Sequence, residues 1–449
     1  MSRDDLFVAI IGAGPCGLAC ARELAREGHR EWRVFEREAA AGGNAASVVD
    51  AAGFTWDLGG HVVFSHYGEF DRLLDEVMGP DVQSHERSSY IRFGDRWVPY
   101  PFQNNLRHLP PHAAYECLVG LVEARGGAVD MDFGTWMEST FGAGITRHFM
   151  RPYNLKVWAT PPEDMSATWI AERVSVVGYE RALRGVVFEE DDVGWGPNNT
   201  FKFPSRGGTG EIYRRLAARL GEGVAYHREV VEVDVASRLL RFSDGGTAEY
   251  DVLVSTMPVD LLVRAIKRCP SELRAAAGRL RHSGVWAVGV GYERALEDDR
   301  SWMYFPEPAV PFYRATNFAK YAAANVPGGD TGRYCSYLTE TSYSPSHVDG
   351  DGLEERVVEG ISSCGLVDRD AHVASINTID IGYAYPTPTR DRDRALGVIQ
   401  PWLLQHGIYS RGRFGTWRYE VGNMDHAVKM GVEVARLILE GRPEELWTL

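Results

Sequence analysis

Cysteine is sparse in this sequence and shows no metal-binding spacing. The six cysteines of the 449-residue chain are dispersed and form no CxxC pair. Paired or regularly spaced cysteines are typical of disulfide scaffolds and structural zinc sites. Their absence excludes both classes, favours reduced thiols in a reducing compartment, and leads us to expect no metal.

Long apolar runs are also missing. Glycine, proline or charged residues interrupt every apolar stretch before the roughly 18 residues that a transmembrane helix needs. The N-terminus carries Arg3, Asp4 and Asp5 and then enters an apolar segment that fits a buried strand better than a signal peptide. We therefore expect a cytoplasmic protein with no membrane partner.

Negative charge exceeds positive charge, and little of the positive charge is lysine. The net charge is -14, and lysine supplies only five of the 48 basic residues. Nucleic acids require clustered positive charge, so we expect no nucleic-acid partner. An anionic substrate must instead be bound by individual arginines. The chain also lacks the GxSxG, HExxH and Walker lysine motifs, which excludes the common hydrolases and kinases.

The N-terminal segment carries a dinucleotide-binding pattern. Phe7–Ile11 is an apolar strand that runs into Gly12, Gly14 and Gly17, and Glu36 follows a second strand. In this pattern the glycines permit a tight turn, a close approach to a pyrophosphate and helix packing, while the acid accepts hydrogen bonds from a ribose. The context of strand, turn, helix, strand and acid makes a purely structural glycine turn the weaker interpretation.

A second glycine pair favours a flavin over a nicotinamide dinucleotide. Gly42 and Gly43 allow a second close approach of the backbone to the cofactor. The segment 411–426 leads into a helix whose first backbone amides can meet the cofactor. The alternative for this segment is an ordinary helix cap at Asp425.

The order of these patterns predicts an α/β fold. It consists of a Rossmann-like FAD-binding domain with an inserted helical domain and a mixed or antiparallel β-sheet substrate domain. Residues 89–100 predict a hairpin around Gly94 and Asp95. The predicted boundaries are 1–90, 200–262 and 405–449 for the FAD domain, 104–190 for the helical domain, and 91–103, 191–199 and 263–404 for the β-sheet domain.

Candidate substrate groups lie outside the cofactor segments. Two aromatic runs, 98–105 and 149–158, combine flat rings with amides that read a base edge, although such runs also serve ordinary loop packing. Arg173 and Arg314 are candidates to clamp a diphosphate bidentately. His61 is open to three interpretations: a general base, a metal ligand or, as we favour, a loop histidine beside the cofactor.

These segments together resemble the UDP-galactopyranose mutase family of the eukaryotic type, here with an arginine-rich composition that suggests a bacterial source. The resemblance covers nearly the whole chain. It rests on eight segments: 59–67, 98–105, 149–158, 195–198, 206–210, 312–316, 385–389 and 410–426.

The resemblance implies a role for each site residue. Uridine would be held by Tyr100, Phe102, Gln103, Phe149, Asn154 and Trp158, and the sugar would face Asn198. The diphosphate would meet Arg173, Arg314, Tyr304, Tyr385 and Tyr419, with His61 on a mobile loop. The flavin would contact Gly12, Gly14, Gly17, Glu36, Gly43, Asn44, Gly60, Val230, Arg413, Gly422, Asn423 and Met424.

The implied activity is the interconversion of UDP-galactopyranose and UDP-galactofuranose. A reduced flavin nitrogen would attack the anomeric carbon, giving a covalent sugar adduct after UDP leaves. FAD would be reduced by NADPH, NADH or another donor. Two alternatives stay open: a mutase acting on another nucleotide hexose, and a flavin amine oxidase or desaturase that shares the same nucleotide-binding halves.

Overall fold

A parallel sheet forms the base of the cofactor region. The computed structural model describes residues 6–128, 130–170, 174–194 and 199–447. Across this sheet the strands are β19 (Ile408–Ser410), β13 (Val252–Ser255), β1 (Val8–Ile11), β2 (Trp32–Phe35) and β9 (Val224–Ala225), all parallel. The central strand β1 is apolar and fully buried, as a strand covered on both faces must be.

Helices cover one face of the parallel sheet. They are α1 (Pro15–Arg26), α2 (Gly68–Met78), α7 (Gly210–Leu220) and α13 (Met424–Glu440). The helices α1 and α13 approach closely because Gly431 has no side chain: a Cβ there would lie 2.2 Å from the carbonyl oxygen of Cys16. The start of α13 is thereby held beside the glycine turn that precedes α1.

The other face of the parallel sheet packs on a mixed layer. This layer contains α8 (Val259–Ala265), α9 (Ser271–Ala277), α12 (Arg392–Gln405) and an antiparallel sheet of β10 (Val230–Asp234), β11 (Leu239–Phe242) and β12 (Thr247–Glu249). A turn at Asp244–Gly246 joins β11 to β12.

A second large sheet contains most of the strands that are rich in aromatic residues, and we call it the aromatic sheet. Its order is β18 (Val373–Thr387), β14 (Arg281–Tyr292), β17 (Cys335–Tyr343), β16 (Arg314–Asn317), β15 (Trp302–Tyr304), β6 (Ser89–Phe93) and β7 (Arg96–Pro99). All neighbours are antiparallel except β15 and β6. The predicted hairpin over 89–100 is confirmed as β6 and β7.

Shorter elements complete the fold. They are the hairpin β3 (Ser47–Val49) and β4 (Thr55–Asp57), the pair β5 (Val82–Glu86) and β8 (Thr200–Pro204), and the helices α10 (Phe318–Tyr321) and α11 (Leu353–Ser363). The hairpin places the chain after Asp57 between the parallel sheet and the aromatic sheet.

The segment between β7 and β8 is mainly helical. It contains α3 (Pro111–Glu123), α4 (Phe133–Ile145), a π-helical turn at Thr146–Met150, α5 (Arg151–Trp158) and α6 (Tyr179–Val187) around an aromatic core. The predicted fold class is confirmed, whereas the three-unit division and its boundaries stay a prediction. No helix in the described ranges is both long and apolar enough to cross a membrane.

Candidate active site

A cavity of about 1160 Å³ runs from the glycine turn after β1 to the aromatic residues of the helical segment. Parallel strands end on this side, where ligands of such sheets generally bind. Most of the predicted site residues line it: Gly12, Gly14, Glu36, Gly43, Asn44, Gly60, His61, Tyr100, Gln103, Phe149, Asn154, Trp158, Val230, Tyr304, Arg314, Tyr385, Arg413, Tyr419, Gly422, Asn423 and Met424.

The other predicted residues lie elsewhere. Gly17 faces the sheet, where an added Cβ would lie 2.0 Å from the carbonyl oxygen of Gly12, so it serves close packing. Phe102 is fully buried behind Phe149. Arg173 and Asn198 lie outside the described residues, as does the whole 195–198 segment.

The glycine turn is shaped to receive a pyrophosphate. Gly12 has φ +99°, and a Cβ there would lie 2.3 Å from Thr256 Oγ1, so only glycine fits. Gly14 is the N-cap of α1 and supplies no side-chain cap, and the first residues of α1, Pro15 and Cys16, line the cavity. Pro15 has no N–H, so the amides available to a ligand are those that follow it in the first turn. Such amides bind phosphate oxygens through hydrogen bonds and the helix dipole.

Glu36 is held rigidly at the end of β2. One carboxylate oxygen accepts a hydrogen bond from the Ala13 amide at 2.7 Å, and the other accepts from the Glu38 amide at 2.9 Å. The side chain is buried yet still lines the cavity near Val230. A fixed carboxylate with spare lone pairs suits a ribose, so this end of the cavity fits the adenosine of a dinucleotide.

The middle of the cavity is organised by side chains that bind backbone carbonyls. Asn44 donates to the Tyr383 carbonyl at 2.7 Å. Arg413 donates through Nε to the Gly422 carbonyl at 2.7 Å and through Nη1 to the Ala384 carbonyl at 3.1 Å. The Arg413 bonds join the segment before α13 to β18, one strand of the aromatic sheet, and the Asn44 bond joins the turn after Gly43 to the same strand.

The helix-cap alternative at Asp425 is wrong. The residue at the N-cap of α13 is Asn423, and Asp425 lies inside the first turn. Its carboxylate accepts from the His66 ring at 2.8 Å and from the His66 amide at 3.2 Å. Asp425 therefore attaches the end of the loop that contains His61 to α13.

The loop after β4 presents Gly60 and His61 to the cavity. Gly59 has φ +116°, and His61 donates its amide to the Gly59 carbonyl at 2.8 Å. Burial, together with Arg413 and Arg314, lowers the pKa of His61 to about 4 despite an opposing effect of Glu340. The imidazole is therefore neutral near pH 7. No cluster of three potential metal ligands occurs in the described part of the chain, which disfavours the metal-ligand interpretation.

Stacked aromatic rings form the far end of the cavity. Phe149 and Tyr153 stack with centroids 5.2 Å apart, and both line the cavity, as does Trp158 at the end of α5. The Gln103 side-chain amide donates to the Ser175 carbonyl, and Asn154 donates to the Met150 carbonyl at 2.8 Å. The Gln103 carbonyl oxygen is left as an acceptor, so this end has both flat faces and a hydrogen-bonding edge.

Arg314 lies between the two ends with tyrosine hydroxyls around it. Burial acts to lower its pKa, but Glu340 and the neighbouring tyrosines outweigh burial and raise it well above its usual value. The Tyr385 hydroxyl lies 3.2 Å from the Tyr313 hydroxyl. A permanent cation beside hydroxyl donors matches a diphosphate.

Several cavity residues were missed by the sequence reasoning. Arg87 donates to the Tyr304 hydroxyl at 3.3 Å, with its guanidinium 4.7 Å from the Tyr100 ring centroid and 5.2 Å from that of Trp302. Tyr153 stands inside the second aromatic run, so that run was a usable signal. Arg87 and Trp302 belong to no distinctive motif.

Comparison with known proteins gives three informative matches. The family model for flavin containing amine oxidoreductases matches residues 15–439. A crystal structure of reduced UDP-galactopyranose mutase is 39% identical, with a TM-score of 0.94 over 98% of this chain and 95% of that one. A putative protoporphyrinogen oxidase from Exiguobacterium sp. 255-15 is 15% identical with a TM-score of 0.74, over 98% of this chain and 99% of that one, and so shows the fold alone.

The curated relatives match more weakly. A putative flavin-containing monoamine oxidase, AofH, of Mycobacterium tuberculosis is 26% identical over 276 residues, which is 56% of each protein. The chain thus spans about half the length of this relative.

Proposed function

Because the chain belongs to the flavin containing amine oxidoreductases and, within them, to the UDP-galactopyranose mutases, we propose that it interconverts UDP-galactopyranose and UDP-galactofuranose. FAD is the cofactor of this family, and the solved mutase is in its reduced form. We propose that the reduced form is the active one here. The glycine turn, Glu36 and the open first turn of α1 fit its dinucleotide.

The observation that carries the proposal is the continuity of one cavity. A dinucleotide site at Gly12, Gly14 and Glu36 opens directly into a compartment with stacked rings, and Arg314 lies between them. An amine oxidase needs no second nucleotide site. A base-sized aromatic compartment beyond a partly buried arginine is what a nucleoside diphosphate sugar requires, with its sugar directed back toward the flavin.

Uridine recognition is assigned to the aromatic end. Phe149 and Tyr153 offer ring faces to the base, and Phe102 supports Phe149 from behind. The Gln103 carbonyl oxygen accepts from a ring N–H, which uracil has and a cytosine ring lacks. Tyr100, Asn154 and Trp158 complete this compartment.

The diphosphate is assigned to Arg314 with Tyr304, Tyr385 and Tyr419. Negative charge grows on the diphosphate as it departs from the anomeric carbon, so a fixed cation stabilises that transition state. Arg173 and Asn198 are proposed, from the family resemblance, to add a second guanidinium and a sugar contact.

Chemistry at the anomeric carbon depends on the reduced flavin, which, when bound, supplies a nucleophilic nitrogen for covalent exchange with the diphosphate. The protein orients the sugar and excludes water. His61 is neutral, so its part is to occupy space and form hydrogen bonds beside Gly60, without supplying a proton from an imidazolium.

The test is anaerobic turnover by the purified holoenzyme. UDP-galactopyranose is incubated with and without dithionite, NADPH or NADH, and the nucleotide sugars are separated by chromatography. Formation of UDP-galactofuranose only under reducing conditions supports the proposal. Turnover of a different nucleotide hexose alone would redirect it to that sugar. In a parallel aerobic incubation, substrate oxidation coupled to oxygen consumption would overturn it in favour of an oxidase.

A further inference from the structure

A buried glutamate lies directly behind Arg314. Glu340, in β17, is the cross-strand partner of Arg314 in β16, and its side chain is 3% exposed. One carboxylate oxygen accepts a hydrogen bond from Arg314 Nε. Glu340 does not line the cavity, whereas Arg314 does.

The Nε bond determines which nitrogens of Arg314 remain for a ligand. With Nε held by Glu340, the guanidinium plane is fixed at its base. Its two Nη nitrogens make no hydrogen bond with any residue that the structure describes. Two fixed, parallel N–H directions are the arrangement that binds phosphate oxygens bidentately.

Through Tyr313, the same carboxylate also holds Tyr385, which lines the cavity. The second oxygen of Glu340 accepts from the Tyr313 hydroxyl at 3.1 Å, and the Tyr313 hydroxyl lies 3.2 Å from that of Tyr385. Tyr385 lines the cavity beside Arg314, and Tyr313 stands behind it. Glu340 thus contacts Arg314 directly and is linked to Tyr385 through the Tyr313 hydroxyl.

The Gly59–Gly60 loop leaves room for this carboxylate. A Cβ added to Gly59 would lie 3.2 Å from Glu340 Oε1, and one added to Gly60 would lie 3.2 Å from Oε2. Burial acts to raise the pKa of Glu340, but Arg314 and the hydrogen bond from the Tyr313 hydroxyl outweigh it and the pKa is lowered, so the group is charged. The ion pair is therefore enclosed between two strands and a glycine loop.

We propose that Glu340 is a positioning residue for diphosphate recognition, acting by holding Arg314 through Nε and Tyr385 through Tyr313. It touches neither substrate nor cofactor. The proposal rests on the function proposed above and adds to it the group that aims the phosphate-binding nitrogens. Because a partly buried guanidinium without its carboxylate is left uncompensated, Arg314 is expected to turn away when Glu340 is removed.

The test compares UDP with uridine as ligands of the reduced holoenzyme. Glu340→Gln is expected to weaken UDP binding by roughly 10- to 100-fold, which is the range for a hydrogen bond to a charged group. Uridine lacks the diphosphate, so its affinity should stay at the wild-type value. Equal losses for both ligands, or no loss for UDP, would overturn the proposal.

A double-mutant cycle separates action through Arg314 from independent action. In an Arg314→Ala background, Glu340→Gln should produce only the several-fold loss that the Tyr385 route accounts for, and a loss as large as in the wild-type background would overturn the proposal. The matched control is Glu293→Gln, which removes a surface carboxylate paired with Arg333 at 2.7 Å and should leave both affinities unchanged.

Tyr313→Phe is a second test of the proposal, for use if Glu340→Gln does not retain flavin. This variant preserves the ion pair and removes the hydroxyl link to Tyr385, so UDP affinity should fall several-fold while uridine affinity holds. An unchanged UDP affinity would overturn the proposal. Failure of the wild-type enzyme to bind UDP at all would instead refute the proposed function.

Discussion

The ring of Phe102 stacks on the buried face of Phe149, with centroids 4.9 Å apart and planes inclined by 18°. Phe149 lines the cavity, whereas Phe102 is wholly buried and does not. The wall of the aromatic compartment is therefore two rings thick. A residue with no access to a ligand supports the ring that we assign to uridine.

Phe102→Ala should weaken both the fold and nucleotide binding. Removing a fully buried phenylalanine costs about 3–5 kcal/mol of unfolding free energy, and Phe149 would lose its stacking partner. We expect a lower urea midpoint and weaker UDP binding, with Phe102→Leu much milder on both. Tyr115→Ala, at a 69% exposed position on α3, is the control. Wild-type UDP affinity in folded Phe102→Ala would contradict this account.

The cofactor half of the site could be predicted because its signals are local. The spacing of Gly12, Gly14 and Gly17 and the acid Glu36 belong to one strand-turn-helix-strand unit within a few dozen residues. The structure confirms that unit as β1, α1 and β2. Local sequence patterns determine local backbone, so this part needed no long-range information.

The supporting residues could not be predicted because their contacts are long-range. Glu340 meets Arg314 only through the register of β16 and β17, and Arg87 meets Tyr304 across 217 residues of sequence. Neither residue stands in a motif. In a chain with 48 basic residues, a single arginine carries no signal until the sheet brings it to the cavity.

Gly60→Ala should nearly abolish activity for a steric reason. An added Cβ would lie 2.5 Å from Thr316 Oγ1, so the loop must move away from Arg314 and the cavity. Displacing a catalytic loop by about 1 Å lowers turnover by roughly 100-fold. The measurement is the rate of furanose formation at saturating substrate, with flavin content determined in parallel.

A second substitution, Thr316→Ala, should relieve the clash that Gly60→Ala creates. Thr316 Oγ1 has no hydrogen-bond partner within the described ranges, so Thr316→Ala removes the obstacle at little cost. The double variant should recover most of the turnover. Gly397→Ala, in α12 with no atom within 4 Å of the added Cβ, is the control and should be fully active. No recovery in the double variant would refute the steric cause.

His61 should make the holoenzyme lose stability on acidification. Its pKa is lowered from 6.5 to about 4 in the fold, so between these pH values the unfolded chain binds a proton that the folded chain does not. The contribution of His61 to the free energy of unfolding is therefore fully present above pH 6.5 and is lost as the pH drops toward 4. The melting temperature should fall less between pH 7 and pH 5 in His61→Gln than in the wild type.

The control for this effect is a histidine outside the site. His112, exposed at the start of α3, is replaced by glutamine and should leave the wild-type pH dependence unchanged. An identical decrease in wild type and His61→Gln would show that His61 is protonated with equal ease in the folded protein. Such a result would also contradict a neutral His61 beside the flavin.

Glu444→Gln should loosen the turn that precedes α13. Glu444 binds Arg411 at both ends of the guanidinium, with Nε–Oε1 2.7 Å and Nη2–Oε2 2.5 Å, and the two side chains are 5% and 1% exposed. Breaking a buried ion pair from one side costs about 3–5 kcal/mol because the other charge is left uncompensated.

The consequence should reach the cofactor because Arg411 lies two residues before Arg413. Arg413 lines the cavity and binds the Gly422 and Ala384 carbonyls, so motion of its turn opens the flavin site. We expect Glu444→Gln to release flavin at lower urea than the wild type. Glu445→Gln is the matched control, because that side chain is 67% exposed and pairs with Lys429 at the surface. If both variants retained flavin equally, the Arg411–Glu444 pair would stabilise the C-terminal segment alone, and the turn would owe its shape to the carbonyl bonds of Arg413.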